Sequence, residues 1–264
     1  MLEMPMALRC KNCEAPVQGQ YCAACGQAIK IERITFRGIL EDFIQQVVNL
    51  DRGFLHTLKD LTRRPGHMIR DYLLGKRKPY LKPLQFYLLM LAIYFTINEL
   101  LDIDVMEAGR KFSEQISTGQ PNTNKRVVQN QVMQVLQNNT KVILSISVFM
   151  QALSLRLFYR KSSFNYVEML VASLFLTGYH YLFSLLLSFS ALLLGYGSAY
   201  WILTVLLTLV MMVYSTWTIT QLFNRHGLAQ ALKAGVCVFA TYAFYIVLSG
   251  TIGAAVGIVY AWRH

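Results

Sequence analysis

Charge is scarce in this chain. Only 15% of its 264 residues are Asp, Glu, Lys or Arg, whereas 55% are hydrophobic and the mean hydropathy is +0.38. Soluble domains carry about 25% charged residues, so lipid is the expected main solvent. Cysteine is scarce beyond the front of the chain, where four of the five fall between positions 10 and 25. Cys237 stands alone inside an apolar run and reads as a small buried residue. The opening "MLEMPMALRC" lacks a basic flank followed by an apolar core, so no signal peptide is expected. A phosphate-binding glycine loop, a nucleophile motif and paired catalytic carboxylates are also missing, so the sequence leans away from an enzyme.

Long apolar runs are absent from the first 80 residues and abundant afterwards. Five stretches suit transmembrane helices: 84–101, 142–159, 169–194, 201–223 and 234–260. The last is longer than a span needs, and Ser249–Gly250 could kink or break it. Positive charge is uneven, with 14 of the 25 Lys and Arg residues before Phe86 against 8 of the 14 acids. Short basic loops mark the cytoplasmic side. Arg156, Arg160 and Lys161 after the second stretch, and Arg225 and Lys233 after the fourth, then also face inward. The uncharged turn "GYGSAY" faces out, and the mixed loop 102–141 is compatible with the outside. The expected topology is N-terminus in and C-terminus out.

The front segment contains "CKNCEAPVQGQYCAACGQ", in which Cys10-x2-Cys13-x8-Cys22-x2-Cys25 brings two thiolate pairs to one ion from tight turns. Four thiolates complete the tetrahedral shell of structural zinc and leave no position for a reacting water, so catalytic zinc is not expected. Two disulfides would need an oxidising compartment and conflict with the inward orientation. A redox CxxC or an iron–sulfur centre stays open as an alternative, although nothing nearby points to electron transfer. Arg9, Lys11 and Lys30 are balanced by Glu14 and Glu32, so nucleic-acid binding is not expected.

Between knuckle and membrane, apolar residues fall at helical spacing. An amphipathic helix is expected over 34–50, and a second, capped by Asp51, with Phe54, Leu55, Leu58 and Leu61 on its apolar face. A third should start at Pro65 and end at Gly75. Together they form a basic collar in which Arg63, Arg64, Arg70, Lys76, Arg77, Lys78 and Lys82 lie at the height of anionic lipid phosphates, each contributing about 1 kcal/mol to surface attraction. The plain alternative is that these helices pack on the cytoplasmic ends of the spans and the charges set topology. His56/Asp60 and His67/Asp71 are i, i+4 pairs that could hold a second metal or act on a lipid phosphate; ordinary surface hydrogen bonds are the simpler reading.

The knuckle followed by "LDRGFLHTLKDLTRRPGHMIRDYLLGKRKPYLKPLQFYLL" resembles a bacterial membrane family known as domain of unknown function 3667. Thr57, Leu61, Arg64, Pro65, Gly66, Gly75, Arg77, Tyr80 and Pro83 carry the resemblance, which extends over about the first 95 residues. The resemblance implies this architecture and brings no activity with it.

Within the membrane, His180 and Gln151 are the polar residues whose burial is costly enough to suggest function, although a histidine paired with a hydroxyl on a neighbouring helix is a common structural solution. Asn98 and Glu99 sit near the outer interface and are expected to be solvated. Gly253 and Gly257 fit close helix packing. The spans carry no acidic series and no inverted repeat, so a proton-coupled transporter is not indicated.

The sequence therefore predicts an all-α integral membrane bundle of about five helices in the bacterial inner membrane. Residues 1–30 form a cytoplasmic zinc ribbon, 31–83 the amphipathic collar and 84–264 the bundle. The expected role is non-enzymatic: the ribbon recruits a cytoplasmic protein partner or braces the collar. The alternative is binding or transport of an anionic lipid or small solute, which predicts a polar cavity opening from the collar toward His180. An enzyme acting through His56, Asp60, His67 and Asp71 would need those side chains to converge.

Overall fold

The computed structural model describes residues 9–17, 19–28, 30, 35, 53–103, 140–224 and 227–263. Within them are seven helices and no strand, only two isolated antiparallel bridges, Arg9 with Pro16 and Tyr21 with Ala28. The helix expected over 34–50, the cap Asp51, most of the loop 102–141 and Arg225 lie outside the described residues.

Two short helices precede the membrane region, α1 (Gly53–Arg63) and α2 (Pro65–Leu74). Arg64 separates them, because the ring of Pro65 suits the first turn of a new helix while it cannot continue the old ladder. α2 ends at Gly75, whose φ of 118° is open to glycine and costly for other residues. Leu61, Met68, Ile69, Tyr72 and Leu73 are buried, but Leu55 is 71% exposed. The expected apolar face of α1 is thus narrower than its sequence spacing suggests, since the bundle covers only the side carrying Leu61.

The apolar stretches form α3 (Pro83–Leu100), α4 (Thr140–Phe158), α5 (Tyr166–Leu194), α6 (Ser198–Leu222) and α7 (Leu228–Arg263). Four helices are long and apolar enough to cross a membrane: α3, α5, α6 and, within α7, Leu228–Val247. In α4 the apolar helical segment among the described side chains is Ser145–Phe158. This is a membrane protein, with an all-helical described structure. α5 begins with a capping box, in which Asn165 accepts from the Glu168 N–H at 2.8 Å and Glu168 accepts from the Asn165 N–H at 2.6 Å. α7 runs unbroken through Ser249 and Gly250, so the break considered there does not occur.

α5 is the central helix, packing against α3, α4 and α6. α6 and α4 also pack against α7, so α4, α5, α6 and α7 close a ring, with α3 outside it against α5. Gly178 lets α3 approach α5, since a Cβ there would lie 2.9 Å from the Phe86 ring. The fully buried Phe86 and Phe175 rings meet across this seam at 5.9 Å. Asn98 is only 4% exposed and donates to Tyr94 O at 2.7 Å, so it is buried against the bundle and not solvated as expected, whereas Glu99 is exposed.

Candidate metal centre and juxtamembrane collar

Each half of the knuckle is the same small turn. Cys10 N–H donates to Ala15 O and Glu14 N–H to Cys10 O; twelve residues later Cys22 N–H donates to Gln27 O and Gly26 N–H to Cys22 O. The residue after the second cysteine takes positive φ in both halves, 62° at Glu14 and 70° at Gly26. This curl presents backbone N–H groups to sulfur, and glycine satisfies it without strain only in the second half.

The four Sγ atoms lie within 4.8 Å of one another, with Cys10 to Cys25 at 3.6 Å and Cys13 to Cys22 at 3.5 Å. A thiolate tetrahedron around zinc has edges of about 3.8 Å, given a metal–sulfur distance near 2.3 Å. A disulfide requires about 2.05 Å, and all four cysteines are free. The donor set therefore fits a four-thiolate metal ion. The Gln27 N–H points at Cys25 and, against the cost of burial, holds that thiol down to about 6. At Cys13 the Ala15 N–H lowers the thiol, but hydrogen bonding with Cys22 and the other sulfurs pushes it up to about 12. A bound cation would replace these shared protons and balance the thiolate charge. Among the described residues, this is the cluster of His, Cys, Asp and Glu able to hold a metal.

The knuckle rests on the collar. Gln27, 8% exposed, donates through Nε2 to Gly75 O at 2.8 Å, at the C-terminal end of α2. Lys78 lies on the same side, since a Cβ built on Gly26 would come 3.9 Å from its Nζ. No sequence signal marks this contact, because a glutamine after a CxxCG turn is otherwise unremarkable.

Inside the collar, Asp60 is the hub. It accepts from Arg64 Nη2 at 2.6 Å and from Tyr80 Oη at 2.8 Å, and Arg64 also reaches Tyr80 Oη at 3.1 Å and Asp71 at 3.6 Å. Burial raises the Asp60 carboxyl, but the hydrogen bonds from Arg64 and Tyr80 outweigh it and hold the group below the usual carboxylate range. The Asp60 hydrogen bond raises Arg64 in turn. Thr57, fully buried, donates to Gly53 O at 2.7 Å and accepts from Leu81 N–H at 2.8 Å. These bonds tie α1 to the segment entering α3.

The hairpin is also clamped onto the spans. Gly66 N–H donates to Gln221 Oε1 at 3.0 Å, and any Cβ at Gly66 would clash with Thr218 O and Gln221 Cβ of α6. Arg70 donates to Leu222 O at 3.2 Å, Tyr214 to Leu61 O at 2.8 Å and Tyr179 to Thr62 at 3.0 Å. Of the basic residues expected near lipid phosphates, Arg64 and Arg70 thus have intramolecular partners, and Arg77 donates to Tyr72 O at 3.4 Å. Arg63 and Lys78 are exposed, and Lys76 and Lys82 are half-buried.

His56 Nε2 stands 3.8 Å from the Asp60 carboxylate, which Arg64 and Tyr80 already engage. Asp71 faces Arg64. Arg64 thus engages both carboxylates.

In the bundle, His180 Nε2 lies 2.9 Å from Ser215 Oγ of α6, and Thr177 donates to Gln151 Oε1 of α4 at 2.9 Å. Both residues line a cavity of about 240 Å³ inside the ring of α4 to α7. No described collar residue lines it, so among the described residues the expected opening from the collar is not seen.

Residues 51–95 match the family described as protein of unknown function (DUF3667), the family that the sequence resembles. The matched stretch contains α1, α2 and the first part of α3; the knuckle precedes it. Comparison with the curated proteins and with the solved structures finds no match.

Proposed function

We propose that this protein is a non-enzymatic module of the bacterial inner membrane in which a cytoplasmic zinc ribbon braces the basic collar against a five-span bundle and presents a surface to a cytoplasmic protein. The observation that carries this reading is the buried bond from Gln27 Nε2 to Gly75 O at 2.8 Å, which joins the metal knuckle to the end of α2. Zinc is favoured by four free cysteines at tetrahedral spacing, and structural zinc supplies folding free energy to a segment too small to make its own core. α4 counts as the fifth span because its 19 residues lie along α5 and α7. The N-terminus is then cytoplasmic, with Arg156, Arg160 and Lys161, at the end of α4 and in the link to α5, on the same side.

The test replaces Cys10 and Cys13 with Ser in the full chain. The expected result is loss of one zinc per chain by elemental analysis, easier proteolysis around residues 75–79, and loss of co-purifying partners while the bundle stays inserted. Unchanged metal content would remove the ribbon; unchanged partners would remove recruitment and leave bracing.

Anionic lipid at the collar is the second reading, favoured by the exposure of Arg63 and Lys78. Their replacement by Gln should weaken binding to phosphatidylglycerol vesicles more than to neutral ones.

A further inference from the structure

The ring of α4, α5, α6 and α7 holds a cavity of about 240 Å³. An apolar cavity of roughly 150 Å³ accepts benzene, so this one has room for roughly ten non-hydrogen atoms. His180 is the fifteenth residue of the 29-residue α5, about 21 Å from its start. The cavity therefore lies near mid-membrane, where every polar group must find a partner.

Its polar inventory is incomplete in a specific way. Gln151, 9% exposed, uses Oε1 to accept from Thr177, and its amide nitrogen carries two donor hydrogens at the cavity wall. Ser215 gives its hydrogen to Met211 O at 2.7 Å, so toward His180 Nε2 it can only accept. His180 is then protonated on Nε2 and keeps a lone pair on Nδ1. Ser184 and Thr241 likewise spend their hydrogens on His180 O and Cys237 O. The buried hydroxyl of Tyr181, whose side chain also lines the cavity, reaches no described residue in hydrogen-bonding geometry. The site offers donors at Gln151 and an acceptor at His180, and no Asp, Glu, Lys or Arg lines it.

We propose that this cavity is a binding site for an uncharged amphiphile whose polar end both donates and accepts a hydrogen bond, such as a hydroxyl or primary amide. A charged group would find no counter-charge and would be costly to desolvate here. A neutral hydroxyl accepts from Gln151 and donates to His180, and apolar atoms rest on Met150, Leu155 and Val238. α7 is the least buried of the membrane-spanning segments, and Thr241, Tyr242 and Tyr245 on its cavity side are only half-buried. The bilayer is thus the nearer source, a neutral lipid entering beside α7; a small neutral solute from water carries the same chemistry.

The test is photolabelling of the full-length protein in nanodiscs with a diazirine-bearing long-chain primary alcohol, compared with the matching alkane and carboxylate. The alcohol should label peptides spanning 147–155 and 177–184. Labelling should fall about tenfold in Gln151→Met, the effect of one buried hydrogen bond. Val238→Trp, which fills the space and leaves the polar groups intact, should abolish it. Competition by excess dodecanol alone indicates a lipid; competition by 1,2-hexanediol indicates a solute, and either supports the site. Equal labelling by the alkane, labelling confined to lipid-facing residues such as Leu153 and Phe239, or no competition by either alcohol, as for a water-filled cavity, overturns it.

Discussion

At the scale of single residues, Asp60 holds the collar together. Asp60 is 7% exposed, and its carboxylate accepts from both Arg64 and Tyr80. Asp60→Asn keeps the shape and loses the charge, and should destabilise the hairpin by about 2 kcal/mol, read as a lower unfolding temperature in detergent. Because the folded carboxyl is depressed, its contribution is complete above the ordinary carboxylate range and disappears as pH falls through that range and below it. Protection factors of the α1 and α2 amides, corrected for the intrinsic exchange rate at each pH, should therefore fall on acidification in the natural chain, and show a smaller pH response in Asp60→Asn. Gly66→Ala is the sharper perturbation, since its Cβ meets backbone and side chain of α6. It should cost about 1–3 kcal/mol and loosen the hairpin, detected by faster tryptic cleavage after Arg63. The sequence makes Arg64, Gly66 and Tyr80 visible as a pattern, but their partners are hidden. The i, i+4 spacing pairs Asp60 with His56 as readily as with Arg64, and Tyr80 joins only because the chain doubles back.

At the scale of elements, Gln27 bonds the cysteine knuckle to the hairpin, with Lys78 beside Gly26. Gln27→Ala should leave metal content unchanged and raise hydrogen exchange at residues 75–82, because the Gly75 carbonyl loses its donor. Pro65, Gly75 and Pro83 announce the breaks between α1, α2 and α3 directly, since each acts through its own backbone chemistry. Helix starts are less visible where the cap lies outside the apolar run: α5 begins at Tyr166, three residues before the hydrophobic stretch, because Asn165 and Glu168 cap it. The exposed Leu55 shows the limit of periodicity, which identifies a helical face and not what covers it.

At the scale of the whole molecule, composition alone makes the membrane class legible, because about 20 apolar residues per helix is a strong signal. The arrangement of the helices is not. Apolar spans look alike in sequence, so the ring of α4 to α7, the outer position of α3 and the cavity at His180 emerge only from packing. The contact between ribbon and collar is of the same kind, joining residues 48 positions apart. Our account therefore makes metal binding and collar rigidity one coupled property. The most direct test is hydrogen–deuterium exchange of the intact protein in nanodiscs, zinc-loaded and zinc-stripped. We predict that stripping removes protection from residues 75–82 as well as from the knuckle, with α5 unchanged. Unaltered exchange at residues 75–82 after zinc is removed would contradict the account.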